Sequence, residues 1–211
     1  MIDRLTHLKP GQECFLPFQI IDDWLEPALA EALLDYAIKN ADHFRQAPVL
    51  YNGINTYNHD VRYSSTLSNV GEFEAPLTSR ALAAQPALQH AFGIPAFNPS
   101  RVEIELAAHR DGAHFKRHID TFVVINKSPT SRLLTLVLYL HRRPSSFSGG
   151  ALRLYALHGS GTRDIEPLHN RLVAFPSFSP HSVEKVHCPG GGFSDQRFAI
   201  NMWIHGAANP P

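Results

Sequence analysis

After Pro99 the hydrophobic period of the chain shifts to two, and no other feature of the sequence restricts the fold as much. Val102, Ile104 and Leu106 alternate with polar or small neighbours, the pattern of a strand with one buried face. Residues 132–140 are a nine-residue run rich in Leu, Thr and Val, and further strands are expected at 151–155, 171–175, 182–186 and 197–204. Gly149-Gly150, the 159–161 segment and Gly190-Gly191-Gly192 supply turns between them. Short strands punctuated in this way predict a β-sandwich or barrel of the jelly-roll type.

The first half reads differently. Residues 18–21 are a short apolar strand candidate, and Pro27 then stands in the first turn of a helix. Ala30, Leu33, Leu34 and Ala37 recur along it at helical spacing, through about Asn40. A second helix is expected over 73–92, carrying Leu77, Leu82 and Leu88 and broken or kinked at Pro86. Between the two, residues 43–70 mix aromatic and polar types around Tyr51, Tyr57 and Tyr63, which predicts irregular extended structure. The expected class is α+β and mainly β, a single domain in which residues 1–98 support a β core formed by 99–211. With 211 residues, 44% of them hydrophobic, the chain is long enough for one such core.

Lys plus Arg and Asp plus Glu each number 19, so no global field attracts nucleic acid or an anionic membrane. No N-terminal stretch joins basic residues to an apolar segment, and no apolar run approaches the roughly 18 residues of a membrane span. An unexported, cytoplasmic protein is expected. Cys14 and Cys188 stand far apart and outside any CxxC pattern, which argues against a disulfide framework or a zinc knuckle.

His118-Ile119-Asp120 sets an imidazole and a carboxylate two residues apart, and on a strand both point to one face and can reach one metal ion. With 13 histidines in the chain such a triplet can arise by chance, so a third ligand must be found. His181, in Ser179-Pro180-His181-Ser182-Val183, is the candidate. Two histidines and one carboxylate make the facial arrangement that leaves positions open on non-haem Fe(II). Open positions mean chemistry rather than structural support.

Around these residues the second half resembles the prolyl 4-hydroxylase-like branch of the Fe(II)/2-oxoglutarate dioxygenases. Six segments follow in family order: 112–120 ending in His118-Ile119-Asp120, 132–140 with Thr135 and Tyr139, Gly149-Gly150 with 151–155, 165–175, Pro180-His181-Ser182-Val183, and Arg197-Phe198-Ala199-Ile200-Asn201-Met202-Trp203. The 19–40 strand and helix are similar to the family's lead-in. The resemblance implies a double-stranded β-helix (jelly roll) core with N-terminal helices packed on it. It also implies Fe(II), 2-oxoglutarate and O2, with ascorbate as a stimulant. His118, Asp120 and His181 become the iron ligands and catalytic residues. Arg197, six residues before Trp203, becomes the clamp for the distal carboxylate of 2-oxoglutarate, where a planar guanidinium suits better than a point charge. Tyr139 is expected on the same carboxylate, and Thr135 beside the co-substrate on the same interior face.

The chain departs from the family at several places. His109 stands nine residues before the first iron ligand, where a tyrosine often lines the co-substrate pocket, so different hydrogen bonding is expected there. Asn201 and Met202 replace small or polar residues before the Trp, so the pocket floor is expected to differ in volume. The gap from His181 to Arg197 is long, and its excess over 187–195 reads as an enlarged hairpin loop that leaves two strands in register. His114, four residues before His118, would share its strand face without ligating. His141, His158, His169, His187 and His205 match no ligand position and read as solvated or structural. Arg62, in Asp60-Val61-Arg62-Tyr63-Ser64, resembles a family Arg-x-Ser segment near the substrate mouth and is a candidate substrate contact. The rest of the mouth is expected from residues 43–70 and 122–131.

The activity implied is hydroxylation of an unactivated C–H bond, with 2-oxoglutarate decarboxylated to succinate and CO2. A prolyl residue or proline-like molecule leads as substrate, peptidyl or small. The alternatives are the same architecture acting on another small molecule or a nucleobase, and a non-redox jelly-roll metal-binding protein. Arg197 and Tyr139 count against the last, which has no need of a buried carboxylate clamp.

Overall fold

The computed structural model describes residues 13–51, 54–121 and 130–207. β1 (Gln19–Ile21) and α1 (Pro27–Lys39) come first. Five short strands follow, β2 (Arg45–Gln46), β3 (Val49–Tyr51), β4 (Ile54–Thr56), β5 (Arg62–Tyr63) and β6 (Ser65–Leu67), and then α2 (Glu74–Phe92). The remainder is almost all strand: β7 (Arg101–His109), β8 (His114–His118), β9 (Thr130–Leu140), β10 (Ser148–Gly149), β11 (Leu152–Tyr155), β12 (Thr162–Ile165), β13 (Leu172–Pro176), β14 (His181–Val183), β15 (Val186–His187) and β16 (Arg197–Ala207). A seven-stranded sheet runs β1-β13-β9-β16-β7-β6-β2 and a five-stranded sheet runs β12-β11-β14-β8-β5. Val137, Tyr139, Val173, Phe175 and Ala199 of the first pack against Leu152, Leu154 and Ile165 of the second. Two antiparallel sheets joined face to face in this way make the expected jelly roll.

Period-two alternation divides the long strands between two jobs. Leu134, Leu136, Leu138 and Leu140 of β9 and Phe198, Ile200, Met202 and Ile204 of β16 turn outward, onto Leu33, Leu34, Leu77 and Leu88 of the helices. Each such side chain, fully buried, contributes about 1.5–3 kcal/mol relative to exposure. That layer carries the stability, so the opposite faces of β7, β9 and β16 are free to hold polar groups. α1 begins at Pro27 and buries Ala30, Leu33, Leu34 and Ala37, as its spacing predicts. The cysteines are free thiols. No helix among the described residues is long and apolar enough to cross a membrane.

Several expectations need correction. α2 runs unbroken past Pro86, because Leu77 and Ala81 before it and Leu88 and Phe92 after it seat the helix on one core. Residues 43–70 are less irregular than expected, since β2 and β6 extend the large sheet and β5 extends the small one. The β12 strand was not anticipated, and the 182–186 strand is divided between β14 and β15. The 187–195 segment is no hairpin loop: β14 belongs to the small sheet and β16 to the large one, so the segment crosses between sheets. Residues 122–129 of the expected mouth loop lie outside the described residues.

Asn170 ties the turn before β13 to the start of α1. Its amide donates to Leu25 O at 2.8 Å and its Oδ1 accepts from Leu25 N at 2.9 Å. Its own N–H donates to Tyr139 O at 2.8 Å. With φ at 60°, it holds a left-handed conformation that Asn tolerates and most residues do not. Asn170→Ala removes both side-chain bonds and keeps the strained φ, so a loss of about 2–5 kcal/mol is expected in urea unfolding.

Candidate active site

Between the two sheets lies a cavity of about 950 Å3. The β7–β16–β9 register stacks its walls in layers. At one end are His109 and Arg197, directly paired; next come Ala199 and Tyr139; then Glu105, Asn201 and Val137; then Glu103 and Trp203; and Arg132 stands at the rim. The small Ala199 beside Tyr139 leaves the cavity open to Arg197.

His118, Asp120 and His181 meet on the small-sheet side, each offering one atom within 4.8 Å of the others. His118 closes β8 and pairs with His181 across β14. Asp120 lies beyond the strand end, so the same-face argument from strand spacing does not place it. Backbone bonds do: the N–H groups of Asp120 and Thr121 both donate to Ser177 O, at 2.8 and 3.1 Å. The carboxylate is then aimed by Thr135 Oγ1 and Trp203 Nε1, each donating to Oδ2 at 2.9 Å. His118 Nδ1 donates to Lys116 O and His181 Nδ1 to Ser179 O, both at 2.8 Å. A carbonyl only accepts, so in each neutral ring the Nε2 lone pair is the free one. These nitrogens face Asp120 at 3.6 and 3.8 Å.

Two lone pairs and a carboxylate therefore face one another without a donor between them, an arrangement suited to a cation. Burial, with the neighbouring His118, pushes His181 down to about 4, which keeps its lone pair available at neutral pH. Burial opposes ionisation of Asp120, but His181, His118 and the Trp203 N–H outweigh it and hold the carboxyl well below its usual range.

The deep end has the opposite chemistry. Arg197 is 1% exposed and Tyr139 fully buried, with the guanidinium carbon 4.8 Å from the phenol ring centroid. Among the described residues Arg197 Nε and Tyr139 Oη have no hydrogen-bond partner. Burial pushes the Tyr139 phenol up to about 12 against the pull of Arg197, so it stays protonated and able to donate. Unpartnered buried donors beside a buried cation fit a carboxylate. Gly150 contributes as well: at φ 69° it makes the expected turn, and a Cβ there would stand 2.7 Å from Arg197 Cδ. That second role leaves no trace in a Gly-Gly pair.

Other predicted residues fall in different places. Thr135 does not line the cavity; its hydroxyl lies between Asp120 and Ser177 Oγ, at 2.9 Å from each, behind the carboxylate rather than beside Arg197. Asn201 reaches the cavity, whereas Met202 packs against the helices and does not line it. His114 bonds toward Gly112 O, and its strand-mate Phe115 stacks on His118 instead, with centroids 3.6 Å apart. A bulge causes the exchange, since His181 pairs with His118 but Val183 pairs with Phe115. Arg62 stands at the mouth, where it donates to Glu105 at 2.9 Å and to Ser64 Oγ at 3.1 Å and lies over the Phe115 ring.

Sequence reasoning missed the rim pair. Arg132 bonds Glu103 through Nε and Nη2 and lies 3.7 Å over the Trp203 ring, and His205 Nε2 is 2.8 Å from the same carboxylate. A register shift at Ile204/His205 turns Arg132 toward the cavity, out of step with Leu134. No spacing rule could have found it.

Residues 104–205 match the sequence family described as the 2OG-Fe(II) oxygenase superfamily. An uncharacterized PKHD-type hydroxylase of Synechocystis sp. is 27% identical over 95% of this chain and 68% of its own length. A solved Pseudomonas putida prolyl-4-hydroxylase superposes with a TM-score of 0.67 at 19% identity, covering 98% of this chain and 97% of that one. A Trichoplax adhaerens prolyl hydroxylase, solved with a peptide fragment of the hypoxia inducible factor oxygen degradation domain, gives 0.68 at 20% identity over 96% and 86%.

Proposed function

Since residues 104–205 match the 2OG-Fe(II) oxygenase superfamily, we propose that the chain belongs to it and hydroxylates an unactivated C–H bond of a prolyl or proline-like substrate. In the reaction one oxygen atom of O2 enters the substrate and the other enters succinate, with loss of CO2. His118, Asp120 and His181 would hold Fe(II), and Arg197 with Tyr139 would hold the distal carboxylate of 2-oxoglutarate. The bound metal and co-substrate supply the oxidising power for C–H cleavage.

This chain's own residues orient and enclose. Thr135 and Trp203 fix the plane of the Asp120 carboxylate, and the carbonyls of Lys116 and Ser179 fix the two imidazoles. Val137, Leu152 and Ala199 give the cavity an apolar wall facing Glu105 and Asn201, against which the reacting carbon would lie shielded from water. Arg62 and Phe115 at the mouth would touch the substrate and set its approach. The single observation that carries the reading is the pairing of a three-acceptor cluster with a donor-only end inside one cavity.

The choice of a prolyl substrate leans on the relatives, two of which are named as prolyl hydroxylases. The mouth is compatible with a neutral target, because its Arg62 and Arg132 are each held by a glutamate. A polyanionic nucleic acid gains no support from such a rim.

The test is anaerobic titration with Fe(II) and 2-oxoglutarate, then succinate release in air against a panel of peptides and free amino acids. Release stimulated by proline-containing compounds, with a mass gain of one oxygen on the ring, is the expected result. Stimulation only by other classes would remove the prolyl assignment, and absence of 2-oxoglutarate binding would remove the oxygenase reading itself.

A further inference from the structure

The small sheet carries a second concavity, a groove of about 340 Å3 formed by β8, β11 and the run from β14 toward β15. Phe115 and Val183, which face each other just past the β8–β14 bulge, line both this groove and the cavity, so the two spaces adjoin there. Phe115 is also the ring stacked on His118. Whatever lies in the groove therefore lies beside the mouth.

The charges of the groove do not balance. Among the described residues Glu184 is the one acid that lines it, and both its oxygens are taken: Arg153 Nη1 donates to Oε2 and Ser182 Oγ to Oε1, each at 2.8 Å. Arg153 is held further by Asp164, through two bonds of 2.7 Å. No carboxylate remains for Lys116, Arg117 or Lys185, which are exposed and form no ion pair among the described residues. Cations that serve solubility alone are interspersed with acids. These three share one groove, in a chain whose Lys plus Arg and Asp plus Glu balance at 19 each. Arg117 is also held in position, its guanidinium carbon 4.5 Å from the Tyr155 ring centroid and the Tyr155 hydroxyl bonded to Ser182 Oγ at 3.0 Å. A cation fixed over a ring, with its N–H groups unclaimed, is prepared for an anion.

We propose that this groove docks an acidic segment of the peptide that carries the target residue, its Asp or Glu side chains meeting Lys116, Arg117 and Lys185 while the neutral target enters the cavity past Phe115. The assignment rests on the reading of the cavity as an oxygenase site, and makes the substrate a peptide or protein rather than a free amino acid. Separate carboxylates fit better than a nucleic acid. The two aromatic rings of the groove are already engaged, Tyr155 by Arg117 and Phe115 by His118, so neither is a free platform for a base. Glu184 in the groove repels a continuous phosphate chain, whereas acidic side chains spaced along a peptide can pass it.

Fluorescence anisotropy on the full chain, without metal or 2-oxoglutarate, tests the docking step alone. The probes are labelled oligo-glutamate and oligo-glutamine peptides, each with one proline, and oligouridylate. The glutamate peptide is expected to bind at least about ten-fold tighter than the glutamine peptide and to weaken as salt is raised. Arg117→Glu combined with Lys185→Glu is expected to lose that advantage and to prefer an oligo-lysine peptide instead. Its calorimetric 2-oxoglutarate affinity, measured on the Mn(II)-loaded protein, is expected to stay within about two-fold of wild type. Equal binding of the two peptides by the wild-type protein, or a glutamate preference that survives in the double variant, overturns the docking site, while 2-oxoglutarate binding keeps the oxygenase reading intact. Tighter binding of oligouridylate, lost in the same variant, overturns the peptide as occupant. A wild-type protein that docks the glutamate peptide and binds no 2-oxoglutarate overturns the oxygenase reading, and with it the claim that the docked chain is substrate. Carbodiimide coupling of the glutamate peptide to the wild-type protein, mapped by mass spectrometry, gives an answer even if the double variant does not fold. Amide bonds to Lys116 and Lys185 are expected, and bonds confined to other lysines overturn the proposal.

Discussion

Arg197→Met is expected to abolish 2-oxoglutarate binding without lowering the melting temperature of the metal-free protein. The two halves of that result come from one fact: the protein supplies no carboxylate to this cation. Among the described residues its guanidinium hydrogen-bonds the neutral His109 through Nη1, and Nε has no partner. Breaking an ordinary buried ion pair costs about 3–5 kcal/mol, because the surviving charge is stranded. Here the charge itself is the desolvated group, and burial pushes its pKa down accordingly. A thioether of similar length removes that penalty, while His109 loses one donor, so the net change in stability is small or favourable. Binding behaves otherwise. Loss of a charge-assisted, two-pronged contact of about 2–5 kcal/mol corresponds to a fall in affinity of roughly thirty-fold or more. Thermal scans with and without Mn(II) plus 2-oxoglutarate read both halves, since only the wild-type protein should gain melting temperature from the added ligand. A variant that melts several degrees lower without ligand would make Arg197 a structural residue instead.

The parts of this molecule that were legible in its sequence are those with a long period. β9 and β16 are eleven residues each, and their alternation separates helix-facing Leu136, Leu138, Ile200 and Met202 from inward Val137, Tyr139, Ala199 and Asn201. α1 was readable for the same reason. β2, β5 and β15 are two residues each and have no period to read. Bulges defeat spacing arguments outright. One in the β8–β14 pair exchanges His114 for Phe115 beside His118, and one in the β9–β16 pair swings Arg132 to the rim. At the site, His118, Asp120, His181 and Arg197 were found because their residue types and order are informative. Their supports were not, because Ser177 O, Lys116 O and Ser179 O act through the backbone, and any residue type can offer a carbonyl. Gly150 behind Arg197 and Trp203 on Asp120 are contacts between distant strands, visible only once the sheets are paired.

The largest effect is expected from Asp120→Ala, which should eliminate both turnover and metal retention. Asp120 is the only anion of the cluster, and its Oδ1 and Oδ2 lie 3.6 and 3.8 Å from the two Nε2 lone pairs. With Ala in its place two neutral imidazoles remain, and the rest of a divalent cation's charge must be met by solvent. Loss of an outer partner of a metal ligand already costs 10–100-fold in affinity, so loss of the charged ligand should exceed that range. The fold should pay a smaller penalty: Thr135 Oγ1 and Trp203 Nε1 lose their common acceptor, but Thr135 retains Ser177 Oγ at 2.9 Å. One stranded indole N–H corresponds to about 1–3 kcal/mol, which a protein of ordinary stability survives. Metal content by mass spectrometry after Fe(II) or Mn(II) loading, beside a urea melt, separates the two consequences. A folded Asp120→Ala protein that still carries one equivalent of metal and still releases succinate would show that the cation is held elsewhere. A folded variant without metal, still binding 2-oxoglutarate weakly through Arg197, would show that the two ends of the cavity act independently.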